Sequence, residues 1–118
     1  MLADDHRVVR KGLSALLESQ PDMEIVGEAA DGVEAVTLAR KINPDVILMD
    51  INMPELNGLE ATRLINTEQP GIRIIGLSIN ADAETGAAML EAGAACHLAK
   101  DCDSCSLLGA IRSRSGAK

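Results

Sequence analysis

The stretch Val46-Ile47-Leu48-Met49-Asp50 sets four large apolar residues in a row and closes them with one carboxylate. An unbroken run of this kind fits a strand buried on both faces, whereas a half-exposed strand alternates apolar and polar residues. The residues that follow, Ile51-Asn52-Met53-Pro54-Glu55-Leu56-Asn57-Gly58, carry Pro, Asn and Gly punctuation that continues neither strand nor helix, so they read as a loop. Asp50 therefore stands at the carboxyl end of a buried strand. In open α/β sheets that is the edge at which ligands bind.

The rest of the chain arranges itself around this strand. Val8, Val9, Leu13, Leu16 and Leu17 recur at helical spacing, which predicts a helix over 6–20 stopped by Pro21. Residues 23–29 alternate in part, as an edge strand does, and Asp31-Gly32 turns the chain into a helix over 33–42 that ends at Asn43-Pro44. A third helix is expected over 59–67, then a turn at Gln69-Pro70-Gly71 and a buried strand over 72–78. A fourth helix over 82–92 stops at Gly93, a last strand covers 96–100, and Asp103 caps a fifth helix carrying Leu107, Leu108 and Ile111. Such alternation is the pattern of βαβ units and of a parallel sheet with helices on both faces. The first strand has only residues 1–3 to draw on, fewer than the usual five or so, and a clipped start would account for it. Residues 113–118 are small, polar and basic, as in a helix fraying into a linker.

Composition narrows the possibilities. A chain of 118 residues, 47% of them hydrophobic, makes one domain that buries about two-thirds of its unfolded surface. Its net charge of -7 argues against sequence-independent binding to DNA or RNA by this segment, since such binding rests on Lys and Arg against phosphates. Phe, Tyr and Trp are all missing, so the core is aliphatic with Met as gap-filler, and no base-stacking platform exists. There is no apolar run of about 18 residues and no signal-peptide pattern at the start, so a cytoplasmic location is expected.

On this scaffold the polar residues converge. Asp4 and Asp5 end the first strand, Asp50 the third, Ser78 the fourth and Lys100 the fifth, so five side chains from distant segments share one sheet edge. Carboxylates packed so closely repel unless a cation lies between them. Magnesium suits such a set, since it takes one or two carboxylates, several waters and often a phosphate oxygen. An aspartate can also act as nucleophile and form an aspartyl-phosphate, while a metal, an ammonium and a hydroxyl stabilise the transferring oxygens. Asp50, Mg, Lys100 and Ser78 fit those roles.

Asp4-Asp5 near the start, Met49-Asp50-Ile51-Asn52-Met53-Pro54 with Gly58, Leu77-Ser78, and Gly93-Ala94 followed by Leu98-Ala99-Lys100 together resemble the receiver domain of two-component response regulators. Asp4-Asp5-His6 with Arg10-Lys11-Gly12-Leu13, and Lys100-Asp101 where many receivers have Lys-Pro, look most like the LuxR/NarL-type transcriptional regulators. The resemblance implies a flavodoxin-like doubly wound five-stranded parallel sheet, order 2-1-3-4-5, flanked by five helices. It makes residues 1–112 the receiver and 113–118 the start of a linker to an output domain outside this chain. It assigns Asp50 as phosphoacceptor, Asp5 as direct magnesium ligand, Asp4 as a ligand acting largely through water, and the Asn52 backbone carbonyl as a further ligand. Lys100 pairs with the phosphoryl group, and the Ser78 hydroxyl swings toward it. The implied donor is a phosphohistidine on a sensor histidine kinase. The response is a population shift at the face of the fourth helix, fifth strand and fifth helix, through which homodimers also form. DNA is reached only through a LuxR-type output domain, no membrane is involved, and the self-catalysed phosphoryl transfer and dephosphorylation do not amount to a turnover enzyme.

One departure stands out. His97 takes the place of a Tyr or Phe whose ring turns inward on activation, and its polar edge is poorly suited to an apolar pocket, so His97 is expected to be partly buried packing and the aromatic relay is left open. The Lys100-Asp101 bond is expected to be trans. His6 reads as structural or solvated. Cys102-Asp103-Ser104-Cys105, with Cys96 and His97, offers zinc or dithiol ligands, but Cys96 and His97 point to opposite faces of a strand, which favours plain semi-buried thiols. Two other functions compete: a phosphorylation-independent dimerisation or interaction module of the same fold, and a phosphohydrolase with Asp50 as nucleophile. Against the hydrolase, Asn52 stands where a second acid is commonly wanted.

Overall fold

The structure, a computed structural model, describes residues 1–51, 57–78, 83–99 and 103–112. Five strands alternate with five helices: β1 (Leu2–Ala3), α1 (Arg7–Glu18), β2 (Glu28–Ala29), α2 (Gly32–Ile42), β3 (Val46–Asp50), α3 (Gly58–Glu68), β4 (Arg73–Ser78), α4 (Ala83–Ala92), β5 (Cys96–Ala99) and α5 (Ser104–Arg112). All strand pairs are parallel and the sheet order is β2-β1-β3-β4-β5. The expected doubly wound sheet is borne out.

The period-two alternation sorts each strand's side chains onto two helical layers. Ile47 and Met49 of β3 and Ile74 of β4 pack with Ala35, Ala39, Ala61, Ile65 and Met89 from α2, α3 and α4. Leu48, Ile75 and Leu77 face the other way, onto Leu17 of α1 and Leu107 of α5. Both faces of β3 are covered, which is why its sequence is apolar without interruption.

The strand expected over 23–29 is shorter than its alternation suggested. Only Glu28 and Ala29 pair, with Leu2 and Ala3, because β1 offers no longer partner. The Met1 amino group instead donates to the Val46 carbonyl at 2.8 Å, so the short first strand is still tied to β3.

Local chemistry fixes the helix ends. Asp31 caps α2 by accepting from the Glu34 amide (2.8 Å), and Glu34 reaches back to the Ala30 amide (2.7 Å), close to a capping box. Asn57 caps α3 through the Glu60 amide (2.9 Å), and Asp103 caps α5 through Ser106 (2.7 Å). Asn43 ends α2 in the left-handed region (φ 53°), and Gly93 ends α4 at φ 117°. A Cβ at Gly93 would overlap the Asn66 side chain. The Lys100-Asp101 bond lies outside the described residues, and no described helix is long and apolar enough to cross a membrane.

Candidate functional site

Parallel strands that start in register also end together, so their terminal residues share one edge. Asp4 follows β1, Asp50 closes β3, and Ser78 closes β4 one residue beyond Leu77, the register partner of Asp50. Asp4 is 2% exposed and Asp50 1%, whereas Asp5 remains exposed. Together with His6, one ligand atom from each of these acids lies within 4.8 Å of the others. Asn52 and Lys100, the remaining expected site residues, lie outside the described residues.

His6 was missed as a member of this group. It is the N-cap residue of α1, yet its side chain makes no cap bond. Its backbone amide donates to Asp4 Oδ1 at 2.8 Å, and its ring turns into the acids. Nδ1 is 3.1 Å from Asp4 Oδ1, 3.2 Å from Asp5 Oδ1 and 3.9 Å from Asp50 Oδ2. Arg10, one turn further along α1, was missed as well. Its Nη1 donates to the Asp4 carbonyl at 2.6 Å while Nε lies 3.3 Å from Glu28 Oε1, which braces the end of β1 against β2. The sequence signal for both was their place in the first turn of a helix that begins directly after two aspartates.

Gly58 shapes the loop after β3. Its amide donates to the Ile51 carbonyl at 2.8 Å, and a Cβ there would run into the Asp50 carbonyl oxygen. Only glycine lets the start of α3 come so near the Asp50 backbone.

Ser78 and His97 form the other half of the edge. Ser78 Oγ lies 3.0 Å from His97 Nε2. The ring is half-buried, as expected, but its polar edge has a hydroxyl to bond, which resolves the mismatch with an apolar pocket. Cys96 packs with the opposite helical layer, and burial pushes its thiol pKa up. Among the described residues, no group of potential metal ligands includes Cys96, His97 or Cys105, and Cys102 lies outside them.

The donor set fits a hard divalent cation. Three carboxylates supply oxygen, which magnesium prefers, and the one nitrogen belongs to a side chain that is 51% exposed and can turn away. A cavity of about 670 Å³ lies elsewhere, between Met1, Met23, Pro44 and Ile111, and Asp4, Asp5 and Asp50 do not line it.

Comparison with known proteins agrees with this geometry. Residues 1–112 match the response regulator receiver domain model. The transcriptional regulatory protein LiaR of Bacillus subtilis is 45% identical over 115 residues, 98% of this chain and 54% of LiaR. A LuxR-family two-component response regulator from Aurantimonas sp. SI85-9A1 superposes with a TM-score of 0.91 at 37% identity, covering 96% of this chain and 81% of that one. A chain in the crystal structure of the CheX-CheY-BeF3-Mg+2 complex from Borrelia burgdorferi gives 0.88 at 27% identity, covering 95% and 84%. The chain spans about half the length of the curated relatives it matches. With its sheet order, its clustered strand-end acids and a match across 112 residues, the chain belongs to the response regulator receiver domain family, and its relatives are LuxR/NarL-type regulators.

Proposed function

We propose that the chain accepts a phosphoryl group on Asp50 from a phosphohistidine of a sensor histidine kinase. The observation that carries this reading is the buried Asp50 carboxylate at the end of β3, facing Asp4, Asp5 and His6 in a receiver-family chain. An Asp50 oxygen attacks phosphorus, a P–O bond forms and the P–N bond breaks, and the departing imidazole keeps the electron pair and takes a proton. Asp4 and Asp5, together with Asp50 and the Asn52 carbonyl, would hold magnesium. When bound, the ion would supply charge screening for the transferring oxygens. Lys100 pairs with the phosphoryl group, and Ser78 donates a hydrogen bond to it.

Arg10, bracing the Asp4 backbone, keeps the acids in place before the donor arrives. The product biases the face of α4, β5 and α5, which serves as a homodimer surface and passes the signal to a LuxR-type DNA-binding domain outside this chain, joined through a linker that starts at 113–118. The protein works in the cytoplasm and completes one phosphoryl transfer and its hydrolysis per signal, without acting as a turnover enzyme.

Incubation with a small acyl-phosphate donor and magnesium tests this. The expected result is one added phosphoryl group by mass, labile to hydroxylamine, lost in Asp50→Asn and lost in EDTA. Sustained hydrolysis of phosphate esters would point to the phosphohydrolase instead, and no adduct at all to the phosphorylation-independent module.

A further inference from the structure

His6 carries the one nitrogen among the ligand atoms that it gathers with Asp4, Asp5 and Asp50. Its backbone is fastened there, since its amide donates to Asp4 Oδ1 at 2.8 Å. An N-cap side chain commonly accepts from the first helix amides. The imidazole of His6 makes no such bond and turns into the acids instead. Asp4 and Asp50 are buried while the His6 side chain is half-exposed, so the ring forms an open side of the group.

The spacing suits a single coordination shell. Around an ion with bonds of about 2.1 Å, octahedral ligands lie about 3.0 Å apart when adjacent and about 4.2 Å apart when opposite. His6 Nδ1 is 3.1 Å from Asp4 Oδ1, 3.2 Å from Asp5 Oδ1 and 3.9 Å from Asp50 Oδ2, all inside that range. Asp4, His6 and Asp50 make further polar contacts, so an entering ion exchanges contacts rather than filling a void.

The identity of the ion decides what the ring does. Magnesium takes oxygen and keeps its waters, so beside it the imidazole only occupies space. Zinc and its divalent neighbours take imidazole readily, and the later first-row ions bind nitrogen and oxygen sites more tightly than the earlier ones. For such an ion Nδ1 lends its lone pair, with the ring proton on Nε2.

We propose that His6 is a specificity-determining residue that makes the three acids a mixed oxygen and nitrogen site for a zinc-like divalent ion, in competition with magnesium. Turned inward, the ring serves the transition ion. Turned outward, it leaves an all-oxygen site to magnesium. Two classes of cation therefore contend for Asp50, and His6 sets the ratio of their affinities. The inference rests on the reading of Asp4, Asp5 and Asp50 as metal ligands and not on phosphoryl transfer.

The test titrates the whole chain with magnesium and, separately, with zinc at free concentrations held by a chelator buffer. Amide shifts at Asp4, Asp5 and Asp50 report occupancy of this site alone. Nitrogen-15 NMR reads the two histidines, His6 and His97, with His6 assigned from its loss in His6→Ala. Zinc should move the His6 Nδ1 resonance to the metal-bound position, magnesium should not, and excess magnesium should reverse the zinc shifts at the acids. Loss of an outer-shell partner already costs about 10–100-fold in metal affinity, so His6→Ala should weaken zinc at the acids by at least about tenfold. The same change should strengthen magnesium on the order of threefold. His6→Asn, which places a good capping residue at the start of α1, should lose the zinc preference in a securely folded chain. Zinc shifts that spare the acids, an Nδ1 that stays put while zinc occupies them, or zinc and magnesium affinities that change together in both variants overturn the proposal. Absence of magnesium shifts at the acids in the wild type defeats instead the magnesium reading of the site, whatever zinc does.

Discussion

Asp50→Asn is expected to make the metal-free protein more stable while removing its response to magnesium. Asp50 and Asp4 are buried, and their ligand atoms lie within 4.8 Å of each other and of Asp5. Two unit charges at 4.8 Å repel by about 3.5 kcal/mol at an effective dielectric of 20. The His6 ring 3.9 Å from Asp50 Oδ2, and the other polar contacts of Asp50, offset part of this. A net gain of about 1–2 kcal/mol remains for the amide, which keeps the volume and sheds the charge. Because the chain has no Trp or Tyr, unfolding in urea is followed by circular dichroism of the helices. With a slope of about 2 kcal/mol per molar urea, the midpoint in EDTA should rise by about 0.5–1 M. Magnesium at ten times its Kd should add about 1.4 kcal/mol to the wild type, and little to Asp50→Asn. An Asp50→Asn midpoint at or below that of wild type in EDTA refutes the argument that the acids repel in the folded state. Equal magnesium responses refute the assignment of Asp50 as a ligand.

Removing the ring that lies among the acids should favour the metal, so His6→Ala is expected to raise magnesium affinity on the order of threefold, the worth of a half-exposed polar pair, as read by calorimetric titration. Gly58→Ala forces a Cβ against the Asp50 carbonyl and should cost about 1–3 kcal/mol, with a lower urea midpoint and amide shifts concentrated at Asp50 and Ile51. The hydrogen bond from Arg112 holds the Asp22 carboxyl below its ordinary 3.8. Its stabilising contribution is therefore complete above that value and is lost as pH falls through the lower folded value. A carbon-13 titration of the Asp22 carboxyl should return to about 3.8 in Arg112→Ala.

Much of this architecture is written locally. The apolar run 46–50, bounded by loop residues, is enough to mark a strand buried on both faces with an acid at its end, because burial on two faces admits no polar alternation. Repetition of strand and helix then leaves a parallel wound sheet as the solution, and Asp31, Asn57, Asp103 and Gly93 announce helix ends through chemistry that acts within a few residues. The convergence of Asp4, Asp5, Asp50 and Ser78 on one edge follows from that topology alone.

What the sequence could not determine depends on distances between segments. The length of β2 is decided by how much of β1 is there to pair with, which no alternation within 23–29 encodes. His6 enters the acid cluster because α1 starts close enough to β3 for a ring on its cap to reach Asp50, 44 positions later in the chain. Arg10 joins Asp4 to Glu28 only once β1 and β2 lie side by side. His97 looked mismatched to an apolar pocket, and it is the fold that brings Ser78 from the neighbouring strand and Gly86 from the overlying helix to receive it. Local patterns determine which groups stand at the edge, and packing decides which of them touch, because hydrogen bonds and charge pairs act over a few ångströms that only the assembled layers define.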